Sequence, residues 1–450
     1  MIAPWPAIFL VLGTLACLVA IVRLVQSRFD WNPEISRKTV HMFMGLICLA
    51  FPWLFNEVWP VWILAGMAVA ALGSIRLVSA LRARFGSVLG GVQRKTWGEL
   101  FFPVSVAFLF WLANGNTLLF RIPVLILAFA DAVAALIGRR YGFAQYETDD
   151  GWKSIEGSAS FFMAAFLSTH IPLLLFSNIG RLECLLTAII VGFVLMLMEA
   201  IAWRGLDNLF VPLVCYVLLA RLMGQTAYDL SMLLCVLLAI MPGLFLWRKA
   251  RRLTQSALIG AALVLYVTWA VADWHWLIAP AMTACAYTLL CLRPAATPQK
   301  HTVHAIACIG GLGLAWLCFS GHMETVNVVY CYGVGYGVHL GVIAFAHYAN
   351  RTRPGSTAVA LCKSALLGYL PLAVPYLVVW RKNTNLIPLA SGAFLIVALS
   401  IAVFAAWQPQ LRPCPSDAER WTRQGIIATV ASVIAFDLIV HLEPWSNSFF

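Results

Sequence analysis

Four short segments hold most of the side chains in this sequence that can do chemistry. The first runs Ser36-Arg37-Lys38-Thr39-Val40-His41, with Gly45 one turn further on. Arg37, Lys38 and His41 lie three or four residues apart, so they can share one helix face. Two cations beside a titratable ring suit an anion clamp with a base. Snorkelling to an interface accounts for Arg and Lys but gives no reason for His41. The second segment is Arg94-Lys95-Thr96-Trp97-Gly98-Glu99, leading to Pro103. Glu99 offers a carboxylate, although an acid also suits the positive end of a helix dipole and Trp97 suits an interface.

The third segment, Asp131 to Gly142 followed by Lys153-Ser154-Ile155-Glu156-Gly157-Ser158, carries the strongest signal. Asp131 falls about two turns inside an apolar run, and an ionisable residue at such a place is by default functional. Ala130, Ala132, Ala134 and Ala135 around it permit close approach of a backbone or ligand. Arg139, Arg140, Lys153, Ser154, Glu156, Gly157 and Ser158 make a candidate phosphate-binding stretch, because backbone N–H groups at a helix start, with a Lys and hydroxyls, suit an anion. The fourth segment is Glu199, then Arg204-Gly205-Leu206-Asp207-Asn208, with Pro212 beyond. Glu199, Asp207 and Asn208 are hard oxygen donors of the kind Mg²⁺ shares with substrate phosphates. Asp207 or Asn208 can equally cap the helix that follows.

Carboxylates for Mg²⁺, cations for phosphates and a candidate base are the equipment of phosphoryl transfer, which needs mainly positioning and charge neutralisation. The phosphate set also includes Arg37, Lys38 and Lys95, and the metal set is Asp131, Glu99, Asp207, Asn208 and Glu199. No Walker A motif and no protein-kinase motif set is present.

The elements that must position these groups are membrane helices. The chain is 62% hydrophobic and 11% charged over 450 residues, against roughly half and a quarter in soluble domains. Apolar runs recur throughout, each long enough for a hydrocarbon core of about 30 Å, and backbone groups in lipid must pair internally. The alternation of an outer-membrane barrel is absent. The sequence predicts an all-α, polytopic transmembrane helical bundle of about 15–16 spans. They fall near 3–25, 40–56, 58–78, 99–113, 121–138, 159–177, 183–202, 209–223, 229–247, 255–271, 275–292, 303–320, 325–348, 357–380, 385–407 and 425–441.

The net charge of +11 sits in alternate short loops, a positive-inside pattern and not the footprint of a nucleic-acid binder. It puts all four segments at the cytoplasmic face, with both termini outside. Short loops and the lack of a transit peptide suit a bacterial inner membrane. The first span has no basic start and reads as retained, not as a cleaved signal. The twelve Cys are scattered without ligand spacing and read as buried apolar groups. Trp247 to Arg252 marks a boundary between residues 1–250 and 251–450, and no repeat relates the halves. In the second half, Tyr332 to Gly337 suits a tight helix crossing. Lys363 and Asp437 read as snorkelling residues, and His339 and His347 as packing or cavity residues.

Four motifs, R-K-x-x-H, W-G-E-L-F-F-P, D-x-x-A-x-x-x-G-R-R-Y-G with K-S-x-E-G-S, and R-G-L-D-N, occur in an order that resembles the phytol, farnesol and dolichol kinase family. The resemblance covers about residues 20 to 225. It implies that residues 1–250 form a lipid-alcohol kinase-like membrane domain, with residues 251–450 an additional helical domain of unassigned function. It further implies transfer of the γ-phosphate of CTP, with ATP as another donor, to the hydroxyl of a membrane isoprenoid alcohol, with Mg²⁺. Asp131, His41 and Lys153 would then be catalytic, with Asp131 acting as metal ligand or base. Ala130 and Ala132 flank Asp131 where many relatives have Gly. A lipid-phosphate cytidylyltransferase would use the same nucleotide, but its signature is absent. A lipid transporter or flippase would call for two related halves.

Overall fold

The computed structural model describes residues 3–79, 97–148, 151–202, 204–247, 253–291, 301–319, 325–349, 357–379, 386–408 and 418–446. Two compact units emerge, Met1–Ala239 and Ile240–Phe450. The first contains α1 (Pro4–Phe29), α2 (Pro33–Cys48), α3 (Phe51–Leu54), α4 (Trp59–Leu77), α5 (Gly98–Ala113) and α6 (Thr117–Tyr141). A hairpin of β1 (Gln145–Thr148) and β2 (Gly151–Ser154) follows, then α7 (Ile155–Phe176), α8 (Arg181–Ile201) and α9 (Asp207–Leu222), before α10 (Ala227–Trp247), whose residues from Ile240 on belong to the second unit. Lys95 lies outside the described residues.

Each predicted span falls on a helix. Among the described residues nine helices are long and apolar enough to cross a membrane, and four more are shorter apolar helices. The protein is thus an all-α membrane bundle, with one small hairpin among the described residues. The largest departures from the hydropathy reading are in α2 and in the last helix, which runs Ala418–Ser446 and not 425–441. Helix α2 begins at Pro33, not near residue 40, and ends at Cys48, not near 56. Proline suits the first position of a helix, where its missing N–H costs nothing. Pro52 has no N–H to give the Cys48 carbonyl and its ring crowds that carbonyl; α2 ends there and the chain restarts as the single turn α3.

The inner helices of the first unit are α6 and α8, each with 56% of its apolar stretch buried, whereas α1, α4 and α7 bury 22% or less and present apolar faces outward. Helix α6 is the hub, packed against α2, α5, α7 and α9. Asn116 caps its start, accepting from the N–H groups of Leu118 and Leu119 at 3.1 and 3.2 Å. Against α2 the fit is close: a β-carbon on Gly45 would overlap that of Ala128.

The second unit contains α11 (Gln255–Val271), a 3₁₀ turn (Trp274–Leu277), α12 (Ile278–Cys291), α13 (Val303–Phe319), α14 (Thr325–Ala349), α15 (Thr357–Val379), α16 (Leu386–Trp407) and α17 (Ala418–Ser446). The apolar stretch of α14 is wholly buried, with α12, α13, α15, α16 and α17 around it. Its glycine run makes the tight crossing that the sequence suggests. A β-carbon on Gly368 would stand 2.6 Å from the Gly337 carbonyl oxygen and 2.9 Å from the Gly341 Cα. His339 is fully buried, its Nδ1 3.1 Å from the Gln424 side-chain amide. Lys363 lies within α15 and Asp437 within α17, where Asp437 is exposed.

The Gly45 contact is testable. Gly45→Val should lower the melting temperature in detergent by the equivalent of about 1–3 kcal/mol, the usual cost of overpacking. An unchanged thermal melt would show that α2 and α6 do not depend on this contact.

Candidate active site

The four segments meet. Arg37 and Lys38 from α2, Gly98 and Glu99 from α5, Asp131, Gly138 and Arg139 from α6, Lys153 from β2, Ser154, Gly157 and Ser158 at the start of α7, Glu199 from α8, and Asp207 and Asn208 from α9 line one cavity of about 560 Å³. It lies at one end of the first unit, where α5, α7 and α9 all begin. A helix start carries the positive end of the dipole, which favours an anion.

Two ion pairs set the charge inside it. Lys38 Nζ bonds Asp131 Oδ2 at 2.5 Å, and both side chains are largely buried. Lys153 Nζ bonds Glu199 Oε1 at 2.8 Å and also donates to the Glu199 backbone carbonyl. Burial works against the Lys153 charge, but Glu199, with Asp207 beyond it, outweighs burial and raises the ammonium above its ordinary pKa. Asp207 stands at the first position of α9. Burial and the neighbouring Asp131 carboxylate push it up from 3.8 to about 6, against the pull of Lys153 and Lys38. Neither Glu99 nor Asp207 has a salt-bridge partner among the described residues.

The phosphate-binding stretch folds around its glycines. Ser154 caps α7, its Oγ accepting from Gly157 N–H at 3.1 Å. Gly138 and Gly157 face each other: a β-carbon on Gly138 would stand 3.4 Å from the Gly157 Cα. The Ser158 hydroxyl lies 2.7 Å from Tyr146 OH. Three predicted residues stand elsewhere. Arg140 is not part of the cavity lining and lies 5.5 Å over the Tyr141 ring. Glu156 is not in the lining either, and its Oε1 accepts from Ala144 N–H at 3.1 Å, tying the hairpin to α7. His41 lies beneath the cavity, donating from Nε2 to the Leu127 carbonyl at 3.0 Å with its ring edge-on to Phe102. That contact holds α2 against α6, one turn from the Lys38–Asp131 pair.

Gln145 and Trp152 of the hairpin also line the cavity and are absent from the sequence reading. Asp149-Asp150-Gly151 between Gln145-Tyr146-Glu147-Thr148 and Trp152-Lys153-Ser154 is a hairpin signal, and Gly151 takes a φ of +121°.

Among the described residues no three His, Cys, Asp or Glu side chains form a metal cage. Asp131 and Asp207 nevertheless line the same cavity, which is rich in cations, and the Asp131 charge reaches Asp207. One or two carboxylates completed by substrate phosphates and waters are what Mg²⁺ requires, so the donor set fits that ion.

A phytol kinase from Synechocystis sp. is 30% identical over 212 residues, covering 46% of this chain, its N-terminal half, and 88% of that protein. The chain belongs to the phytol kinase family. At the level of that family it is a kinase of a prenol-type lipid alcohol. No protein-family model matches the chain, and no solved structure matches it.

Two stability outcomes follow from the charges. Lys38→Met strands the Asp131 carboxylate and should cost about 3 kcal/mol, as breaking a buried pair does. Lys38→Met with Asp131→Leu should recover much of the loss, and an equal deficit in both variants would refute the pairing. Asp207 ionises at a higher pH folded than unfolded, so the stability it confers at low pH is lost as pH rises through about 6. Asp207→Asn in EDTA should therefore melt above the native chain at pH 7.5 and with it near pH 4. A lower melt at pH 7.5 would contradict this.

Proposed function

We propose that the first unit transfers the γ-phosphate of a nucleoside triphosphate, CTP in the first instance, to the hydroxyl of a membrane isoprenoid alcohol. Phytol, geranylgeraniol, farnesol and dolichol-like alcohols are the acceptor class, and the product is the lipid monophosphate. The observation that carries this reading is the convergence of four distant segments on one polar cavity, within the half of the chain related to the phytol kinase. We place the cavity at the cytoplasmic face of a bacterial inner membrane, on the charge distribution of the loops.

In this reading Arg37, Lys38, Arg139 and Lys153 hold the phosphates. Asp131, bonded by Lys38, would hold Mg²⁺. When bound, Mg²⁺ neutralises charge on the transferring phosphoryl group. The lipid oxygen bonds to the γ-phosphorus and the bond from that phosphorus to the β,γ-bridging oxygen breaks, leaving CDP. The hydroxyl proton passes to a carboxylate oxygen of Asp207, whose raised pKa suits a base near neutral pH. Glu99 lines the same cavity and would orient the acceptor hydroxyl.

The test uses purified protein in nanodiscs with Mg²⁺, γ-labelled CTP or ATP, and each alcohol in turn. Label should appear in a lipid monophosphate with release of nucleoside diphosphate. Asp131→Asn should lower kcat by about a hundredfold or more, the range of acid–base and charge-stabilising groups. No transfer from either nucleotide to any alcohol would sink the reading, and release of diphosphate instead would mark a cytidylyltransferase.

A further inference from the structure

Two of the four segments are joined chiefly by backbone. The Trp97 N–H donates to the Arg204 carbonyl at 2.9 Å. The Asn208 side-chain amide donates from Nδ2 to the Gly98 carbonyl, also at 2.9 Å. Between these bonds Gly205 lies against Gly98 so closely that a β-carbon there would overlap the Gly98 backbone nitrogen. Arg204 and Gly205 both take left-handed conformations, with φ of 52° and 83°. Consecutive left-handed residues, one of them not glycine, persist only where surrounding contacts hold them. The result is a clasp between the start of α5 and the start of α9. Glu99 follows Gly98 on one side, and Asp207 precedes Asn208 on the other.

Asn208 looks from sequence like an oxygen ligand, yet it is 8% exposed and its amide nitrogen is committed to a backbone carbonyl. We propose that Asn208 is a positioning residue: its amide ties the first turn of α5 to α9 and so presents Glu99 and Asp207 to one cavity. The consequence for catalysis rests on the kinase reading above. The tie itself does not.

Asparagine and aspartate separate the two roles. A ligand keeps its oxygen and gains charge in Asn208→Asp, so Mg²⁺ would still be held. A tie loses its donor and sets a carboxylate against the Gly98 carbonyl. The experiment compares the native chain, Asn208→Asp and Gly205→Ala in nanodiscs. Gly205→Ala attacks the same clasp through its overlap and its positive φ, without touching Asn208.

Two measurements are made. Hydrogen exchange of the segment 97–102 reads the clasp without any substrate, and protection at the Trp97 amide should fall at least tenfold in both variants. Label transfer reads the consequence: kcat should fall at least tenfold in both, with KM for the nucleotide within about threefold and no recovery on raising Mg²⁺. Native protection in Asn208→Asp overturns the tie, as does native kcat restored by Mg²⁺. If Asn208→Asp does not fold, Gly205→Ala decides by the same two readouts. If the native chain transfers no label, the kinase reading fails, and hydrogen exchange alone still decides the clasp.

Discussion

A carboxylate two turns inside a membrane helix must have a partner, and much of the first unit can be understood as the consequence of supplying one to Asp131. An isolated charge removed from water costs several kcal/mol even after the protein relaxes. Lys38 answers it at 2.5 Å, which demands that α2 lie close against α6. The helices meet that demand with a contact one turn deeper, His41 to the Leu127 carbonyl, and with a glycine, Gly45, where Ala128 leaves no room for a larger residue. These contacts follow one face of α2, at positions 38, 41 and 45. Helix α6, so anchored, also packs against α5, α7 and α9, and its position therefore sets where those helices begin relative to the carboxylate.

The polar end of the bundle shows why the irregular backbone gathers there. Within lipid, helices are acceptable because they satisfy their own N–H and C=O groups, and other backbone is tolerated only where protein or a water-filled cavity surrounds it. The hairpin, the left-handed pair at Arg204 and Gly205, and the starts of α5, α7 and α9 all border the same cavity or the clasp beneath it. There the ends of the hydrogen-bond ladders become useful. The positive ends of helix dipoles can face an anion, and glycines at 98, 138, 157 and 205 let the backbones converge.

What was legible in the sequence was what stands out against an apolar background. Asp131, Lys153, Glu199 and Asp207 were visible because ionisable groups are expensive near lipid. Their motif order also carried the family. Partners were less legible, because they depend on geometry between distant helices. Nothing local to His41 says that its ring meets the Leu127 carbonyl, and nothing local to Asn208 says that its amide meets Gly98. The hairpin is hard to read because its Asp-Gly signal joins strands of only four residues and the Lys153 stretch also reads as a helix start. The shift of α2 to Pro33–Cys48 was missed because hydropathy averages over a window, whereas Pro52 acts at a single carbonyl.

The two units use glycine toward different ends. In the second, Gly333, Gly337 and Gly341 on α14 admit α15 so closely that the buried helix becomes the core of its unit. In the first, the glycines lie at helix starts and beside Asp131's helix, where close approach produces a polar chamber instead of a dry seam. This difference bears on how a helix bundle can serve phosphoryl transfer at all. The reaction requires little covalent help from protein, only fixed charges and N–H groups aimed at phosphate oxygens. A P-loop collects those groups on one turn between strand and helix. In the proposed reading, cations from α2, α6 and β2 take that part at the positive ends of three helices, and the Lys38–Asp131 pair and the Gly98–Asn208 clasp would supply the rigidity that a single loop otherwise provides.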